Sequence, residues 1–495
     1  MINYHKKHLQ ILLKYATIIV YANEINLQKR KVTNMNKLAC AVLAAGDGKR
    51  MKSVKPKVLM EVLMKPMLGW VLDSVEKLDM DEIGVIVGNG APMTEKYLES
   101  RAGSYRIFYQ TVRRGTGHAV MQAEELIRES ENLLVLCGDA PFIDENTLKQ
   151  ALELHLKNGY GATIITASPD NPTGYGRIVR GADGDVEKIV EEKDASPAEK
   201  AITEINSGAY WFDCKALLEA LPQLSDNNAS GELYLTDAID IIRRSGKKIG
   251  ACTAEHKAIV LGANTRTDLY NLNYFARMAV IGDLMQNGVE FPCTDGVIIS
   301  TEAEIGQDTV ILPNTIIKGK CKIGCGCVIG PNTVLENMTV DDGCKLNNVQ
   351  AYDSELESDV KIGPFVHIRP GTHIASGVKI GDFVEVKNSN IGEKTAIAHL
   401  TYVGDSDVGK GVNFGCGCVT ANYDGIEKFR TKIGDYAFLG CNTNLIAPVE
   451  IGENASTGAG STITRNVPAN SLAVERSETV VKECWEKNFK RIRKV

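Results

Sequence analysis

A six-residue repeat fills the second half of the chain and leaves few folds open to it. After Phe291, an isoleucine or valine followed by glycine recurs at intervals that include six and eighteen residues, beginning at Ile305, Ile323, Ile329, Ile362, Ile380, Ile391, Val408, Ile433 and Ile451. Three such units make one coil of a triangular, left-handed parallel β-helix, with the aliphatic side chains pointing inward. An ordinary β-sandwich does not hold one period over about 160 residues.

Two features within the repeat call for separate interpretation. The segment TANYDGIEKFRTK, residues 420–432, breaks the period and is predicted to project as a loop. Cys321, Cys325 and Cys327 in CKIGCGC could form a metal site, but the repeat explains their spacing better. Because the flat faces of such coils pack side by side, we expect a homotrimer through the β-helix.

The first half has the pattern of an α/β domain. Short apolar runs (LACAVLAA, EIGVIVG, NLLVLCGD, GATIITA) predict strands, and LGWVLDSVEKL and GHAVMQAEELIRE between them have helical spacing. This alternation predicts a Rossmann-like domain with a mostly parallel sheet. We therefore divide the chain into an extension at 1–35, an α/β domain at 36–264, a linker helix at 265–288, the β-helix at 289–473 and a tail at 474–495.

The composition and the N-terminal segment indicate the cellular location of the protein. The net charge of -6 excludes a large basic surface for nucleic acid, and 13 cysteines in 495 residues indicate reduced thiols and a cytoplasmic location. The apolar run at 9–22 is short for a membrane span and contains Lys14, with a signal peptide as the alternative. Because a strand-like run opens just after Met35, we favour an extension or a wrongly assigned start, and no membrane insertion.

The stretch LAAGDGKRMKSVKPKVL, residues 43–59, follows the first predicted strand and is suited to an anion. Its glycines let backbone N–H groups approach a phosphate closely, and Arg50 and Lys57 add positive charge. Neither the Walker motif nor the dinucleotide fingerprint is present. Alone, the two cations could be ordinary surface residues.

These residues, with QTVRRGTGHA and LCGDAPFI, resemble the motifs of the sugar-nucleotide pyrophosphorylases. In the repeat, IRPG, HLTYVGD and NYDG narrow the resemblance to the bacterial bifunctional N-acetylglucosamine-1-phosphate uridyltransferases and glucosamine-1-phosphate acetyltransferases, from about Asn36 to Arg476. The resemblance implies acetyl transfer from acetyl-CoA to glucosamine 1-phosphate, then Mg²⁺-dependent uridylyl transfer from UTP to N-acetylglucosamine 1-phosphate with release of pyrophosphate. The product would be UDP-N-acetylglucosamine, a precursor of peptidoglycan, lipopolysaccharide and other envelope glycans.

The resemblance also implies roles for residues of the first domain. Arg50 and Lys57 would serve the phosphates, and Asp139 and Asn264 would hold Mg²⁺, although an aspartate at a strand end is often only a helix cap. The residues implied to bind UTP and the product sugar nucleotide are Leu43, Ala44, Ala45, Gly46, Lys57, Gln110, Gly115, Thr116, Gly176, Glu191, Asn206 and Asn264. Among them, the Gln110 amide suits a pyrimidine edge. Cys137 stands where the family often has tyrosine.

In the β-helix the resemblance implies that His399 is the base of acetyl transfer, with Glu385 orienting or polarising it. Histidine suits the role because it changes charge near neutral pH. Substrate would be held by Arg369, Lys387, Tyr402, Asn413 and Lys428, and acetyl-CoA by Cys416, Asn422, Tyr423, Cys441, Ala459 and Arg476, in a groove between neighbouring subunits. Some family members carry alanine and serine in place of Cys416 and Cys441.

Other functions remain open from the sequence. His399 could be a structural histidine, or His367, His373 and His399 could form a zinc site at subunit interfaces for metal-dependent hydrolysis. A second hypothesis keeps only nucleotidyl transfer and makes the β-helix a trimerisation or regulatory module, but a scaffold has no need of Arg369, Lys387, His399 and Tyr402. A purely structural or binding protein conflicts with two complete sets of site residues.

Overall fold

The computed structural model describes residues 37–46 and 48–483. The chain separates into two compact units between Tyr274 and Phe275. The interpretations made for residues 1–35 and for the tail beyond residue 483 lie outside the described residues. Within the described ranges, no helix is both long enough and apolar enough to cross a bilayer.

The first unit is built on a central sheet of mainly parallel strands. The strands of the unit are β1 (Leu38–Ala44), β2 (Glu61–Val62), β3 (Lys65–Pro66), β4 (Glu82–Val87), β5 (Arg106–Tyr109), β6 (Asn132–Cys137), β7 (Ala162–Ala167), β8 (Arg177–Arg180), β9 (Val186–Val190), β10 (Ile205–Asp213) and β11 (Ile249–Thr253), of which β2 and β3 form a separate two-stranded sheet. The sheet order is β11-β7-β10-β6-β1-β4-β5, and β10 runs antiparallel to both of its neighbours. The hairpin β8–β9 joins the sheet through β10. The mostly parallel sheet agrees with the sequence prediction.

Helices cover both faces of this sheet. They are α1 (Met67–Val75), α2 (Ala91–Glu99), α3 (Thr116–Met121), α4 (Glu124–Arg128), α5 (Glu145–Asn158), α6 (Pro197–Lys200), α7 (Cys214–Ala220) and α8 (Asp237–Arg244). The boundary between the two units falls within the next helix, α9 (Arg266–Gln286). The segment GHAVMQAEELIRE is helical, as its spacing predicts, but it is divided into two helices, α3 and α4. The N–H groups of Gln122 and Ala123 bond three residues back rather than four, which tightens the chain and ends α3.

Each face of the sheet carries its own apolar core. Ala39 and Ala41 of β1 pack into one core, and Cys40 and Val42 pack into the other. A strand buried on both faces needs an unbroken apolar run rather than alternation, which is why LACAVLA reads as it does. The sheet therefore holds the loops after β1 and β6 at one edge.

The second unit is a parallel β-helix, as the repeat predicts. Its strands are β12 (Ile298–Ile299), β13 (Glu304–Ile305), β14 (Val310–Ile311), β15 (Ile316–Lys318), β16 (Lys322–Ile323), β17 (Val328–Ile329), β18 (Val334–Glu336), β19 (Thr339–Val340), β20 (Lys345–Leu346), β21 (Val349–Tyr352), β22 (Glu355–Leu356), β23 (Lys361–Ile362), β24 (Val366–Arg369), β25 (His373–Ile374), β26 (Lys379–Asp382), β27 (Glu385–Lys387), β28 (Asn390–Ile391), β29 (Ala396–His399), β30 (Tyr402–Gly404), β31 (Ser406–Val408), β32 (Asn413–Phe414), β33 (Val419–Ala421), β34 (Thr431–Ile433), β35 (Phe438–Leu439), β36 (Asn444–Ile446), β37 (Val449–Ile451), β38 (Ser456–Thr457), β39 (Thr462–Ile463) and β40 (Leu472–Ala473).

These strands form three parallel sheets, one on each face of a prism. The first face begins with β12, β15 and β18, the second with β13, β16 and β19, and the third with β14, β17 and β20. Ile305, Ile323 and Val340 show the effect on the repeat, since they pair in register on successive coils and point into one common core. Residues on neighbouring coils therefore stack about 4.8 Å apart.

One corner of the prism changes character along its length. Asn314, Asn332 and Asn348 occupy it in left-handed conformation, and their side-chain amides bond in a ladder at 3.1 Å and 3.2 Å. The next coils place Phe365, Phe383 and Leu400 there, with 59%, 61% and 61% of their surfaces exposed. The two phenylalanine rings stack with centroids 5.4 Å apart. We call these three residues the apolar corner.

The predicted interruption is a projecting loop between β33 and β34. Residues 423–428 within it are exposed, and the strand order continues on either side. Ser406 pairs with Thr431 across a separation of 25 residues, whereas Asn390 pairs with Asp407 across 17. The loop therefore lengthens one coil without shifting the strands that follow.

Candidate functional sites

The first unit brings together Lys57, Asp139 and Asn264, three residues that the sequence analysis assigned to phosphate and metal. Lys57 Nζ forms an ion pair with Asp139 Oδ2 and donates a hydrogen bond of 2.8 Å to Asn264 Oδ1. Both oxygens are thus turned toward a cation. Carboxylate and amide oxygens are also ligands that Mg²⁺ accepts, so these two side chains could hold that ion beside a phosphate.

Local backbone structure positions these groups. Asp139 lies just beyond β6, and a Cβ on Gly262 would lie 3.1 Å from its carbonyl oxygen, so the loop carrying Asn264 passes close by. Asp268, near the start of α9, accepts hydrogen bonds from the N–H groups of Asn264 at 2.9 Å and Thr265 at 2.8 Å. Burial raises the pKa of Asp268, but these bonds outweigh it and hold the pKa below its usual range. Asp268 is a positioning residue that the motifs did not indicate.

The glycine-rich loop lies at the same edge of the sheet. Leu43 and Ala44 end β1, Ala45 is buried, and Gly46 is exposed with open space around it. Gly48 adopts a left-handed φ of 57°, and a Cβ there would lie 2.8 Å from Lys57 Cβ. Arg50 is exposed, and its charge acts on Asp268.

The predicted uracil-reading residues also lie together. Gln110 follows β5 directly, is buried, and its Nε2 donates to the Gly115 carbonyl at 3.1 Å. Gly115 has a φ of 107°, and a Cβ there would lie 2.5 Å from the Leu233 carbonyl oxygen, so only glycine fits. Thr116 begins α3, and its hydroxyl accepts from the Leu235 N–H at 3.1 Å.

Gly176, Glu191 and Asn206 converge on one small patch, which we call the Gly176 cluster. A Cβ on Gly176 would lie 3.5 Å from Glu191 Oε2 and 3.6 Å from Asn206 Cβ. Glu191 Oε1 accepts from the Thr236 hydroxyl at 3.1 Å, and burial raises the pKa of this carboxyl. The cluster therefore sets a carboxylate and an amide beside the buried backbone of Gly176, where a Cβ would also lie 3.0 Å from Ile189 Cγ2.

Cys137, the departure from the family pattern, lies behind this cluster. Its Sγ donates to the Gly208 carbonyl at 3.6 Å. Burial, reinforced by the charge of Asp139, raises the pKa of Cys137 to about 12. The thiol is therefore neutral at physiological pH and acts as packing.

In the second unit, a group of charges on the first face matches the predicted substrate clamp, and we call it the cation cluster. Its cations are Arg369, Lys387 and Lys428. Arg369 Nη1 donates to Glu385 Oε1 at 2.9 Å on the adjacent coil. The neighbouring Lys428 amine, together with burial, lowers the pKa of Lys387. An anion is the group that would relieve this crowding of like charges.

We expected Glu385 to orient His399. In the structure, the Glu385 carboxylate forms an ion pair with Arg369. Tyr402 pairs with Glu385 on the next coil, so its ring lies on the same face. Asp405, which the motif analysis did not single out, lies 3.8 Å from Lys387 Nζ and accepts from Asn388 at 2.5 Å and from Asn422. Burial raises the pKa of Asp405, but the two amide bonds and the lysines lower it further, so the carboxylate is charged.

The predicted base and coenzyme residues form a single line along the corner between the third and first faces, which is also the corner of Phe365, Phe383 and Leu400, and we call this line the corner column. The pairing of β29, β32, β35 and β38 sets Ala396, Asn413, Phe438 and Ser456 side by side, one per coil. Three residues further on in each coil stand His399, Cys416, Cys441 and Ala459, all exposed. Stacked coils thus align four residues that lie far apart in sequence.

Three further predicted residues lie outside these clusters. Asn413 is on the third face, where it pairs with Ala396, while the cation cluster is on the first face. Tyr423 is on the projecting loop, 60% exposed, and its hydroxyl donates to the Gly425 carbonyl at 2.6 Å. Arg476 is exposed beyond β40.

The three histidines of the alternative zinc site lie on three different faces of the same prism. His367 is on β24, His373 on β25 and His399 on β29. His373 Nε2 instead lies 3.3 Å from Glu357 Oε1, and His367 packs against Tyr352. Within residues 37–46 and 48–483, no three His, Cys, Asp or Glu side chains are grouped to hold a metal. In CKIGCGC, Cys321 and Cys327 point into the core.

Comparisons with known proteins match both units. Residues 40–259 match the nucleotidyl transferase family, and residues 302–337, 353–388 and 430–465 match the bacterial transferase hexapeptide family. A curated relative from Acetivibrio thermocellus, named bifunctional protein GlmU, is 48% identical over 91% of this chain and 97% of its own length. Relatives of the same name from Thermoanaerobacter pseudethanolicus and Clostridium acetobutylicum are 49% and 45% identical, over 91% and 90% of this chain and 98% of theirs.

Fold and clusters together define a two-unit transferase, in which a nucleotidyltransferase domain precedes a hexapeptide-repeat acyltransferase domain. Identity above 40% over nine-tenths of the chain makes the relationship more specific than this class. The chain belongs to the bifunctional GlmU family.

Proposed function

We propose that the protein makes UDP-N-acetylglucosamine in two steps, acetylating glucosamine 1-phosphate in the β-helix and uridylylating the product in the α/β unit. The strongest support for the second step is the contact of Lys57 with both Asp139 and Asn264. It places a cation and two metal-type oxygens where the ends of parallel strands receive ligands.

In uridylyl transfer, an oxygen of the sugar phosphate forms a bond to the α-phosphorus of UTP. The bond to the bridging oxygen of pyrophosphate breaks. The protein's work is alignment and charge neutralisation. Lys57 and Arg50 neutralise the phosphates, Gln110 and Gly115 receive the base, and the Gly176 cluster binds the amino sugar.

Magnesium fits the residues present, because Asp139 and Asn264 present a carboxylate and an amide oxygen to the same Lys57 amine. When bound there, the ion supplies further positive charge to the transferring phosphates. Lys57 then contributes by holding both oxygen-bearing side chains in place.

In acetyl transfer, the amine of glucosamine 1-phosphate attacks the thioester carbonyl of acetyl-CoA, and coenzyme A leaves as its thiol. His399 takes the amine proton. The cation cluster holds the sugar phosphate, with Glu385 and Asp405 fixing Arg369 and Lys387. The coenzyme follows the corner column, in a groove completed by a neighbouring subunit of a homotrimer. Tyr423 and Arg476 line that groove from outside the clusters, and Asn413 helps to bind the glucosamine 1-phosphate.

A nucleotidyltransferase with a purely structural β-helix is the second candidate. The cation cluster weighs against it, because a scaffold gains nothing by crowding Lys387 against Lys428. Product analysis by mass spectrometry separates the two. With glucosamine 1-phosphate, acetyl-CoA, UTP and Mg²⁺ together we expect UDP-N-acetylglucosamine, and N-acetylglucosamine 1-phosphate accumulates when UTP is omitted. Product only from ready-made N-acetylglucosamine 1-phosphate would favour the second candidate.

The two steps should be separable by single substitutions, because their residues belong to different units. We predict that His399→Ala lowers acetyl transfer by at least about a hundredfold and leaves uridylyl transfer within about twofold. Asp139→Ala should have the opposite effect. Each variant serves as the control for the other in paired kinetic assays. If both activities fall in a folded His399→Ala protein, the two-site assignment is wrong.

A further inference from the structure

Next to the Gly176 cluster lies a buried arginine to which none of the steps above gives a role. Arg177 begins β8 and only 2% of its side chain is exposed. Its Nη2 forms an ion pair of 2.7 Å with Glu192 Oε2, and its Nη1 donates to the Tyr175 carbonyl. A guanidinium this deeply buried needs a reason, because desolvation costs several kcal/mol per ion.

Stability is a poor explanation for this ion pair. Arg177 Nε is buried and has no hydrogen-bond partner among the described residues, so the charge is incompletely satisfied. Buried pairs of this kind are often neutral or unfavourable relative to apolar packing of the same volume. The neighbouring Arg180 on β8 forms a comparable fork with Glu204, at 2.8 Å and 2.7 Å, but 37% of the Arg180 side chain is exposed.

The Arg177–Glu192 pair contacts the backbone that flanks Gly176, and it lies next to Glu191. Glu192 Oε2 also accepts from the Gly174 N–H at 3.2 Å, so one carboxylate binds both Arg177 and the turn before Gly176. On the other side, the Gly176 carbonyl accepts from the Asn206 N–H at 2.9 Å. Glu192 directly follows Glu191 in the chain, so a shift of Glu192 also moves Glu191.

We propose that the Arg177–Glu192 pair is the positioning device of the amino-sugar end of the uridylyl-transfer site, fixing the Gly176 backbone against the Glu191 carboxylate and the Asn206 amide. This inference rests on the proposed function, which assigns the Gly176 cluster to the sugar. Arg177 and Glu192 act through that cluster and themselves contact no substrate. Loss of the pair should therefore weaken sugar binding and leave UTP binding intact.

The test compares Glu192→Gln with the matched control Glu204→Gln, which neutralises the partner of Arg180, the more exposed arginine of the same strand. Glu192→Gln keeps the side-chain volume and an acceptor oxygen for the Gly174 N–H, and it removes the charge that balances buried Arg177. We expect the KM for N-acetylglucosamine 1-phosphate to rise about tenfold, the scale of one charge-assisted hydrogen bond, with the KM for UTP and kcat changed less than about threefold. Glu204→Gln should leave both KM values and kcat near wild type while lowering the thermal midpoint at pH 7 as Glu192→Gln does, because the pKa of each carboxyl is lowered in the folded protein.

A second variant distinguishes an effect on the position of the sugar-binding residues from an effect on the overall stability of the protein. Arg177→Lys keeps the charge but loses the fork that reaches Glu192 and Tyr175 together, so sugar KM should rise there too. An unchanged sugar KM in Glu192→Gln, or equal changes for sugar and UTP, would overturn the inference. Wild-type protein that makes no UDP-N-acetylglucosamine from UTP and N-acetylglucosamine 1-phosphate would instead overturn the proposed function.

Discussion

Glu191 and Glu192 are adjacent in sequence yet sit in opposite electrostatic surroundings. Burial raises the pKa of Glu191, whereas the Gly174 N–H and the Arg177 guanidinium lower that of Glu192. Burial thus opposes the ionised form of Glu191, whereas the partners of Glu192 stabilise its ionised form. Such a contrast between neighbours is typical of a site in which one group serves a ligand and the other supports the site.

We predict opposite effects of pH on two glutamine variants. Because the folded protein binds the Glu191 proton more tightly than the unfolded chain, ionised Glu191 destabilises the fold as pH rises through its folded pKa. Glu191→Gln should therefore be more stable than wild type at pH 7, and the gain should vanish below about pH 4, under the ordinary glutamate value. Its sugar KM should nevertheless rise about tenfold.

Glu192→Gln is the control for this prediction, with the reverse sign. Its lowered pKa gives stability that is present above the ordinary glutamate value and lost as pH falls, so the variant should be less stable than wild type at pH 7. Thermal unfolding of the three proteins at pH 7 and pH 4 measures both effects. A Glu191→Gln protein no more stable than wild type at pH 7 would contradict the assignment.

At the scale of secondary structure, the stacking of coils determines which residues can act together. His399, Cys416, Cys441 and Ala459 are separated by 17 to 25 residues in sequence, yet occupy neighbouring positions of the corner column. The same stacking brings Arg369 to Glu385 and Asp405 to Asn422. A residue in a parallel β-helix therefore has its nearest functional neighbours one coil away.

The corner column predicts where thiol reagents act. Cys416 and Cys441 are exposed one and two coils from His399, so a maleimide adduct on either would obstruct the proposed coenzyme groove. Alkylation should lower acetyl transfer at least about tenfold and leave uridylyl transfer unchanged, because Cys137 is neutral and shielded. Rates of both reactions before and after N-ethylmaleimide treatment measure this.

Substitution separates these thiols from the others. The double variant Cys416→Ala/Cys441→Ser should remain active and resist the reagent. Cys325→Ser removes another exposed thiol, elsewhere in the prism, and should remain as sensitive as wild type. Equal loss of acetyl transfer in the double variant would show that the corner column is not the site of inhibition.

The motifs predicted the strands and supplied the candidate site residues, but not the residues that hold those candidates in place. The spacing of apolar residues predicted the sheet and the prism, because the residues that become buried follow from their local pattern in the sequence. Asp405, Asp268 and Glu192 could not be found in this way, because each is defined by partners that only the fold supplies. Asp405, for example, meets Asn388 and Asn422 one coil away on either side. The break between α3 and α4 was missed because helical spacing continues across it.

For the whole molecule, the apolar corner bears on assembly. Phe365, Phe383 and Leu400 form an exposed apolar stripe beside a cavity of about 540 Å³ that Glu385 and His367 also line. Contiguous apolar surface of this kind is usually covered in the working protein. Because the corner adjoins the first face, which carries the cation cluster, we expect it to be buried between subunits of the proposed homotrimer.

We predict that Phe383→Asp dissociates the trimer, because a carboxylate would have to be desolvated at the interface. Sedimentation should give about three times the chain mass for wild type and one chain for the variant, and acetyl transfer should fall at least about tenfold while uridylyl transfer persists. Tyr436→Asp is the matched control. Tyr436 is also an exposed aromatic residue in left-handed conformation, but at a different corner. A trimeric Phe383→Asp protein would contradict the prediction.

The register across the projecting loop has a consequence for how chains of this kind can change length. Strand β34 pairs with β31 as though the extra residues between them were absent, because the loop leaves and re-enters the prism at one corner. Extra residues can therefore be inserted at a corner of the prism without altering the strand register of any later coil. The loop that carries Lys428 to the cation cluster has this arrangement, so a turn of the repeat can be long enough to present a charged side chain while the strands that follow keep their register.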